Sequence, residues 1–279
     1  MIPSTFDYEV AESTEQAVSL LGSREDAKIL AGGHSLIPLL KLRFARPSLL
    51  VDIGRIDDLS YVRDVGEWLA IGAMTRYKAI RENPLVQEHC PIVSHTAGLI
   101  GDPQVRHRGT IGGSLAHGDP ASDLPAVMLA LGAELVIVGP EGERTVAAAE
   151  FFRGVFETAV GPREVLTEIR VPKLGTWTGW SYLKFTRRAQ DWATVGVAAL
   201  VRNEHDASVQ EARIALTNMG ATPLRATAAE EALVAGEADP AAHIADGADP
   251  ASDVSASAEF RSHLARVMGK RAIEEALHR

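Results

Sequence analysis

The sequence GDPQVRHRGTIGGSLAHGDPASDLP occupies positions Gly101 to Pro125 of this 279-residue chain and is its most distinctive stretch. Glycines stand at 109, 112, 113 and 118 among small polar residues, with few large apolar side chains between them. Glycine lets backbone N–H groups come close to a ligand, and consecutive N–H groups in a turn bind anions. The stretch therefore predicts a binding site for a phosphate or pyrophosphate group.

A second glycine turn, Ala31-Gly32-Gly33-His34-Ser35, lies near the N-terminus. It follows the short apolar run Ile29-Leu30 and precedes a helix-like stretch from Leu36 to Leu42. Two such turns in one chain indicate a dinucleotide that is held at both ends of its pyrophosphate. Neither turn matches G-x-G-x-x-G or G-x-x-x-x-G-K-[ST], so the sequence predicts neither a Rossmann fingerprint nor a P-loop.

The overall composition is that of an ordinary globular protein, with 46% hydrophobic and 23% charged residues. The formal net charge of −9 argues against a broad nucleic-acid surface, because such a surface needs clustered lysine and arginine. No apolar run approaches the ~20 residues that span a bilayer. The N-terminal sequence MIPSTFDYEV lacks the basic and apolar regions of a signal peptide, so we expect a cytoplasmic protein.

The single cysteine, Cys90, limits the chemistry of the chain. One thiol makes no internal disulfide and no structural zinc site, and an iron–sulfur cluster normally takes four cysteines. If the protein handles electrons, it therefore needs an organic cofactor and receives the electrons from elsewhere. Cys90 itself is predicted to be a buried core residue, as free cysteines commonly are.

The first 55 residues predict a small α/β unit with the order β-α-β-turn-α-β. Ser13-Thr14-Glu15-Gln16 reads as a capping box that opens a helix from Thr14 to Leu21. Strands are expected at 6–10, 28–31 and 49–53, so the glycine turn lies at a strand end, a usual place for ligands.

A second unit is expected from 56 to 175. Thr75 is predicted to cap a helix that runs to Ile80, and a helix from 85 to 99 is predicted to break near Pro91. A further helix is expected from Asp123 to Leu131, whose acidic first residue either accepts hydrogen bonds from a ligand or simply caps the helix.

A third unit is expected from 176 to 279, beyond the boundary signal Pro172-Lys173-Leu174-Gly175. Its pattern predicts three antiparallel strands followed by two helices. The strands are expected at 180–187, 194–202 and 212–218, and the helices at 223–234 and 259–276.

Three motifs together resemble a known family. They are AGGHSLIPLLKLR at Ala31–Arg43, RGTIGGSLAHGDPASDLP at Arg108–Pro125 and YLKFTRRAQDWATVGVA at Tyr182–Ala198. In this order and spacing they are similar to the FAD-binding medium subunits of molybdenum hydroxylases, above all to the carbon monoxide dehydrogenase branch. The central FAD domain of xanthine dehydrogenases is the same module. The resemblance implies an α+β fold: a two-lobed FAD-binding domain of the vanillyl-alcohol-oxidase type, with subdomains 1–55 and 56–175, and a C-terminal α+β domain at 176–279.

The resemblance also carries the family's FAD contacts to two glycine turns and four single positions. These positions are Ala31, Gly32, Gly33, His34, Ser35 and Leu36 in the first turn, Thr110, Ile111, Gly112, Gly113 and Ser114 in the second, and Asp123, Leu166, Lys184 and Trp192 beyond them. It implies that both turns hold the pyrophosphate through backbone N–H groups and through the Ser35 and Thr110 hydroxyls. Many relatives have asparagine where this chain has His107 and Ser114.

The four single positions have distinct implied roles. Asp123 matches an acidic FAD ligand, Leu166 a backbone contact, and Lys184 a basic residue close to the flavin, where a cation favours the reduced anionic ring. Trp192 matches an aromatic or aliphatic group beside the isoalloxazine ring. His34 either touches the cofactor or is a solvent-facing loop residue.

The implied function is electron transfer within a complex, with no catalytic side chain on this subunit. FAD would receive electrons from [2Fe–2S] clusters of a small subunit. Those clusters would in turn receive their electrons from a large subunit with a molybdenum–cytosine-dinucleotide centre. The implied assembly is a dimer of heterotrimers in the cytoplasm or at the inner face of the membrane. The acceptor is a quinone, NAD⁺ or O₂. Carbon monoxide is the first expected substrate, and aldehyde, purine or N-heterocycle hydroxylation stays open.

Two other classes of protein stay open from the sequence. A self-contained FAD oxidase would carry its own substrate site, although only about 105 residues follow Gly175, which is small for a substrate domain. A metal-dependent hydrolase could use His107, His117, Asp119 and Asp123, but no H-x-x-x-H or H-E-x-x-H spacing is present.

Overall fold

The computed structural model describes residues 2–176, 178–203 and 208–279, which form both strands and helices. The strands are β1 (Asp7–Val10), β2 (Lys28–Leu30), β3 (Leu49–Asp52), β4 (Val62–Val65), β5 (Trp68–Gly72), β6 (Glu134–Gly139), β7 (Gly142–Ala147), β8 (Phe152–Gly154), β9 (Glu157–Thr158), β10 (Val165–Pro172), β11 (Thr178–Phe185), β12 (Val195–Asn203), β13 (Val209–Thr217) and β14 (Leu224–Arg225). The α-helices are α1 (Thr14–Ser23), α2 (Leu36–Leu42), α3 (Tyr77–Glu82), α4 (Pro84–His89), α5 (Pro91–Leu99), α6 (Pro103–Arg108), α7 (Ile111–His117), α8 (Asp123–Leu131), α9 (Ala148–Phe151), α10 (Thr227–Val234) and α11 (Ala258–Leu277).

The N-terminal sheet is parallel, with the strand order β1-β3-β2. The helices α1 and α2 are its crossovers, so the predicted order β-α-β-turn-α-β is confirmed. Ser13 caps α1 as expected, since its Oγ accepts the Gln16 N–H at 3.2 Å. Gln16 Oε1 reaches back to accept the Glu12 N–H at 2.7 Å, one residue before the N-cap position that a capping box uses. The first glycine turn directly follows the carboxyl end of β2.

The second sheet is antiparallel, with the order β4-β5-β10-β6-β7. It shares one large apolar core with the helices α3, α4, α5, α7 and α8. Every residue of α8 is buried, because this helix also packs against β12 and β13 of the following sheet. The predicted bounds of α8, Asp123 to Leu131, are confirmed, and so is the helix break at Pro91, which separates α4 from α5.

The C-terminal sheet is antiparallel, with the order β11-β12-β13-β14. Its side chains alternate: Tyr182 and Ala198 belong to the core shared with α8, whereas Val197 and Leu216 pack toward α10 and α11. The sequence pattern predicts three strands and lacks β14, which the structure forms at the start of the segment predicted as a helix. A strand of two residues is too short to show a hydrophobic periodicity in the sequence. β14 is defined only by its pairing with Ala215 and Leu216, which is a tertiary contact.

The expected cap at Thr75 is wrong. Helix α3 begins at Tyr77, and Arg76 occupies its N-cap position. The Thr75 hydroxyl instead donates to the Tyr61 carbonyl at 2.9 Å and accepts the Tyr61 N–H at 3.1 Å. Thr75 is buried, and its hydroxyl therefore satisfies the backbone hydrogen bonds of Tyr61 and not those of the helix that follows it.

The glycine-rich stretch, expected to be a turn, contains two short helices. Asp102 caps α6 by accepting the Val105 N–H at 2.9 Å, and Thr110 caps α7 by accepting the Gly113 N–H at 3.2 Å. Helix α7 ends at Gly118, whose φ of 63° is left-handed. Its glycines therefore lie within a helix, where their lack of a side chain matters for packing.

Cys90 is fully buried, as predicted, and its thiol donates to the Pro172 carbonyl at 3.1 Å. Burial raises the pKa of this thiol to about 12, so it stays protonated. Among the residues that the structure describes, none of the helices has both the length and the apolar character that crossing a membrane requires.

Candidate functional site

The two glycine stretches lie against each other although they are distant in sequence. A Cβ at Gly32 would lie 2.6 Å from the Arg108 carbonyl oxygen and 2.9 Å from the Gly109 Cα. A Cβ at Gly113 would lie 3.5 Å from the Ala31 Cβ. Because only glycine at 32 allows this approach, the first turn and the start of α7 form one continuous surface.

The first turn presents a row of free backbone donors. Within the described residues, the N–H groups of residues 32–36 donate to no acceptor of the protein. Gly33 has a φ of 78°, a left-handed conformation that favours glycine, and it turns the chain from β2 into α2. Ser35 holds the N-cap position of α2 with its hydroxyl unused, and His34 is exposed. Such a row of N–H groups is a ready anion site.

The second stretch differs, because its N–H groups are already used. The Ile111 N–H donates to the Thr75 carbonyl at 3.1 Å, and the Gly112 N–H donates to the Ala73 carbonyl at 2.8 Å. The Gly113 N–H goes to the Thr110 hydroxyl oxygen and the next N–H to the Thr110 carbonyl. Thr110 is buried, so this stretch contributes shape more than hydrogen-bond donors.

Asp123 and Lys184, two of the expected cofactor contacts, meet in a buried ion pair. The Lys184 Nζ donates to Asp123 Oδ2 at 2.8 Å, and both side chains are 5% exposed. Asp123 begins α8, whereas Lys184 lies on β11, so the pair connects the second and third sheets. Lys184 also lies 3.4 Å from the Leu99 carbonyl oxygen at the end of α5.

Tyr182 completes this group through a hydrogen bond of 2.7 Å from its hydroxyl to Asp123 Oδ1. Burial raises the pKa of Asp123, against the opposing influence of the Lys184 ammonium and the Tyr182 hydroxyl. Burial and the adjacent carboxylate raise the pKa of Tyr182 well above its ordinary value. The phenol therefore stays protonated and acts as a donor.

Leu166 reaches the site only through its neighbours. Its side chain is buried in the core, and its backbone pairs with Ile137. The register of β10 shifts just after it, and there the Thr167 carbonyl accepts the Ala73 N–H at 2.8 Å. Since the Ala73 carbonyl accepts from Gly112, one residue joins β10 to α7.

Trp192 lies on the connection between β11 and β12 and is 65% exposed. The base of this loop is closed by the Thr194 N–H, which donates to the Phe185 carbonyl at 2.8 Å. The Asn218 amide also donates to the Ala193 carbonyl at 2.7 Å. The ring thus stands on an anchored loop that follows the strand of Lys184.

Tyr77 and Tyr182 belong to the site but are absent from the sequence-based expectations. Tyr182 precedes Lys184 by two positions on a strand, which places both on one face, so the alternation of the strand was a usable signal. Tyr77 packs its ring beneath Gly109, where a Cβ would lie 2.5 Å from the ring. Its pKa is raised to about 12 by burial, against the effect of a hydrogen bond to Ser114. No local pattern marks Tyr77.

The described residues contain no group of three or more histidine, cysteine, aspartate or glutamate side chains placed to hold a metal ion. The Asp123 carboxylate is paired with a lysine ammonium and a phenol. His117 stacks on Phe156, with 4.9 Å between ring centroids.

Comparison with known proteins covers nearly the whole chain. A family model for the FAD binding domain in molybdopterin dehydrogenase matches residues 4–174, and one for the CO dehydrogenase flavoprotein C-terminal domain matches residues 180–276. The chain is 45% identical to the carbon monoxide dehydrogenase medium chain of Hydrogenophaga pseudoflava, over 99% of this chain and 98% of that one. It is 41% identical to the 6-hydroxypseudooxynicotine dehydrogenase complex subunit alpha of Paenarthrobacter nicotinovorans, over 100% and 97%.

A solved structure agrees with these matches. Carbon monoxide dehydrogenase from Hydrogenophaga pseudoflava, in a form that lacks the Mo-pyranopterin moiety, aligns with a TM-score of 0.96 at 45% identity, over 99% of this chain and 98% of that one. The α+β fold with an FAD-binding part and a C-terminal part is confirmed.

The geometry of the site fits the dinucleotide that these models imply. The free N–H groups of residues 32–36 suit a pyrophosphate, and the glycine at 32 lets the turn pack against the start of the second stretch. The chain therefore belongs to the family of FAD-binding medium subunits of molybdenum hydroxylases and is an oxidoreductase flavoprotein subunit.

Proposed function

We propose that this chain is the FAD-carrying subunit of a carbon monoxide dehydrogenase complex. The observation that carries the cofactor assignment is the row of free N–H groups at residues 32–36, packed against the start of α7. The substrate of the complex is inferred from the 45% identity to the carbon monoxide dehydrogenase medium chain over nearly the whole length of both chains.

In this proposal the first turn supplies most donors to the pyrophosphate. The N–H groups of Gly32 to Leu36 and the unused Ser35 hydroxyl bind the phosphate oxygens, and Ala31 packs beside them. The second stretch, Thr110 to Ser114, forms the adjoining wall, since the N–H groups of residues 111–114 are satisfied within the protein. This division departs from the expectation that both turns hold the pyrophosphate through their backbone N–H groups.

The remaining proposed contacts orient the flavin end. Lys184 presents its ammonium from the buried pair with Asp123, and Leu166 contributes backbone beside the register shift of β10. Trp192 is exposed and free to cover one face of the flavin ring. No side chain of this chain acts as acid, base or nucleophile on the organic substrate.

The chemistry that FAD supplies when bound is the transfer of electrons between one-electron iron–sulfur donors and an external acceptor, a quinone, NAD⁺ or O₂. The single cysteine of the chain agrees with this division, because four thiolates are needed for a cluster. The proposed partners are a small [2Fe–2S] subunit and a large subunit with molybdenum–cytosine dinucleotide, in a dimer of heterotrimers. The proposed location is the cytoplasm or the inner membrane face.

The proposed division of the chain is 1–55 and 56–175 for the two FAD-binding subdomains and 176–279 for the C-terminal domain. It is supported by the four sheets of the described residues, each of which forms within one of these ranges.

A second candidate is a hydroxylase of N-heterocyclic compounds, favoured by the 41% identity to the 6-hydroxypseudooxynicotine dehydrogenase subunit. Reduction of the purified complex by carbon monoxide, but not by N-heterocycles, purines or aldehydes, would favour the first candidate. Reduction of flavin in the isolated chain by an organic substrate would favour a self-contained oxidase instead.

The test of the cofactor site uses two glycines with the same backbone conformation. Gly33→Ala, at φ 78°, is expected to lower the FAD content of the purified complex about tenfold, because the new methyl group would lie 2.8 Å from the Ile37 Cδ1 and would displace the start of α2 together with the N–H groups of the turn. Gly236→Ala, at φ 74° with no atom within 4 Å of the new Cβ, carries the same strain away from the site and should keep its FAD. A wild-type complex without flavin absorbance would refute the proposal.

A further inference from the structure

The Tyr182 hydroxyl is placed at the centre of the buried charges of the site. It donates to Asp123 Oδ1 at 2.7 Å, while Lys184 donates to the other carboxylate oxygen at 2.8 Å. Tyr182 is 1% exposed, so neither donor is replaced by water. With one donor on each oxygen, the carboxylate has a single favourable orientation.

Space for this hydroxyl exists because position 196 has no side chain. A Cβ at Gly196 would lie 2.6 Å from the Tyr182 Oη. Gly196 pairs with Lys184 on one side and with Thr217 on the other. Tyr182 lies two positions before Lys184 on the same strand, so its side chain is on the same face of the sheet as these three residues. The Thr217 Oγ1 lies 3.4 Å from the same phenolic oxygen and is fully buried.

The orientation of the Asp123 carboxylate determines which N–H donors of the Lys184 ammonium stay unused. An ammonium has three N–H donors. One goes to Asp123, and a second direction is taken by the Leu99 carbonyl at 3.4 Å. One N–H of Lys184 therefore stays without an acceptor among the described residues.

We propose that Tyr182 is a positioning residue of the cofactor site, which holds Asp123 and thereby directs the remaining N–H of Lys184 toward the flavin. This inference rests on the proposed function, in which Lys184 presents its ammonium to the flavin from its pair with Asp123. Tyr182 itself does not touch the cofactor in this account. Gly196 and Thr217 serve the same role by admitting and holding the phenolic hydroxyl.

The test is Tyr182→Phe in the purified complex, stripped of FAD and titrated with it. The dissociation constant for FAD is expected to rise about tenfold, which corresponds to about 1.4 kcal/mol. The midpoint potential of the bound flavin is expected to fall, because a less directed ammonium stabilises the reduced ring less. A purely structural role would lower the melting temperature and leave both quantities unchanged.

A matched control is available in the second sheet. Tyr61 donates to Glu168 Oε2 at 2.5 Å, a phenol–carboxylate pair outside the proposed site. Tyr61→Phe should reduce stability without changing FAD affinity or potential. Gly196→Ala keeps the phenol but displaces its hydroxyl, and should weaken FAD binding in the same direction as Tyr182→Phe.

The outcomes distinguish FAD binding by this chain from the positioning role of Tyr182. A wild-type complex that binds no FAD overturns the proposed function and this inference with it. A wild-type complex that binds FAD, with Gly196→Ala and Tyr182→Phe binding it equally well, overturns the inference alone. Should Tyr182→Phe fail to fold, the affinity and potential of the Gly196→Ala complex decide the question.

Discussion

Gly112 shows how a single position in the glycine stretch serves packing. A Cβ there would lie 2.4 Å from the Ala73 Cβ and 2.7 Å from the Ala73 carbonyl oxygen. Ala73 has little freedom to move, because its N–H is bound to Thr167 and its carbonyl to Gly112. The glycine is therefore required by contact between α7 and the segment after β5, whatever the ligand.

We expect Gly112→Ala to lower the free energy of unfolding by about 1 to 3 kcal/mol, the usual cost of overpacking. The gain in helix propensity of up to about 1 kcal/mol is smaller than a clash against fixed backbone. Chemical denaturation measures the change. Gly175→Ala is the control, because its nearest atom would be the Thr178 hydroxyl at 3.9 Å, and its change should stay within about 0.5 kcal/mol. Equal losses in both variants would contradict the packing argument.

At the scale of elements, α11 holds the loop that carries Trp192. Arg261 on this helix is 2% exposed, and it donates to the Thr194 carbonyl at 2.5 Å and to Asp253 Oδ2 at 2.7 Å. Its Nε has no partner among the described residues. Burial of a guanidinium with an unpaired donor lowers the free energy of unfolding. We infer that the hydrogen bond from Arg261 to the loop offsets part of this desolvation penalty.

Arg261→Met is expected to destabilise the protein by about 1 to 3 kcal/mol, because it leaves the buried Thr194 carbonyl without this donor. Amide exchange in the 186–194 loop should become faster, since the anchoring bond of α11 to its base is lost. Hydrogen-exchange mass spectrometry reads this directly. Arg266→Met changes an exposed arginine of the same helix and should leave the loop unaffected. Loop exchange that is unchanged in both variants would show that α11 does not anchor the loop.

At the scale of the whole molecule, two histidines with a lowered pKa, the exposed His95 and the partly buried His117, are expected to contribute to the response to mild acid. Burial lowers the pKa of His95, which packs beside Trp180, and that of His117, which packs on Phe156. Their unfolded forms bind protons at a higher pH than their folded forms. The unfolded state therefore binds more protons as pH falls, and stability decreases below the unfolded pKa of about 6.5.

The melting temperature is accordingly expected to fall between pH 7 and pH 5. The pKa of His243 is raised by Asp246, so its contribution has the opposite sign, present at low pH and lost as pH rises. It is exposed to solvent, and screening keeps its effect small. Replacement of His95 and His117 together by glutamine should flatten the slope measured by calorimetry. An unchanged slope would exclude these two residues as its source.

Elements with a strong local signal were predictable. The β-α-β-turn-α-β order of the first unit follows from strand alternation and the capping box at Ser13. The bounds of α8 follow from an acidic first residue and an apolar run that ends at Gly132. In contrast, α7 lies in a stretch whose glycines disfavour helix, and hydrogen bonds to the Ala73 and Thr75 carbonyls hold its first residues.

The amino-acid sequence by itself determined the family, because the family depends on residue types in short motifs, and from the single cysteine it predicted an external source of electrons. Only the tertiary structure decided that the free N–H groups lie in the first turn, and that Asp123 is shared by Tyr182 and Lys184. These partners are separated by 59 and 61 positions along the chain. Packing of α8 against the C-terminal sheet brings them together, and local propensity carries no information about that contact.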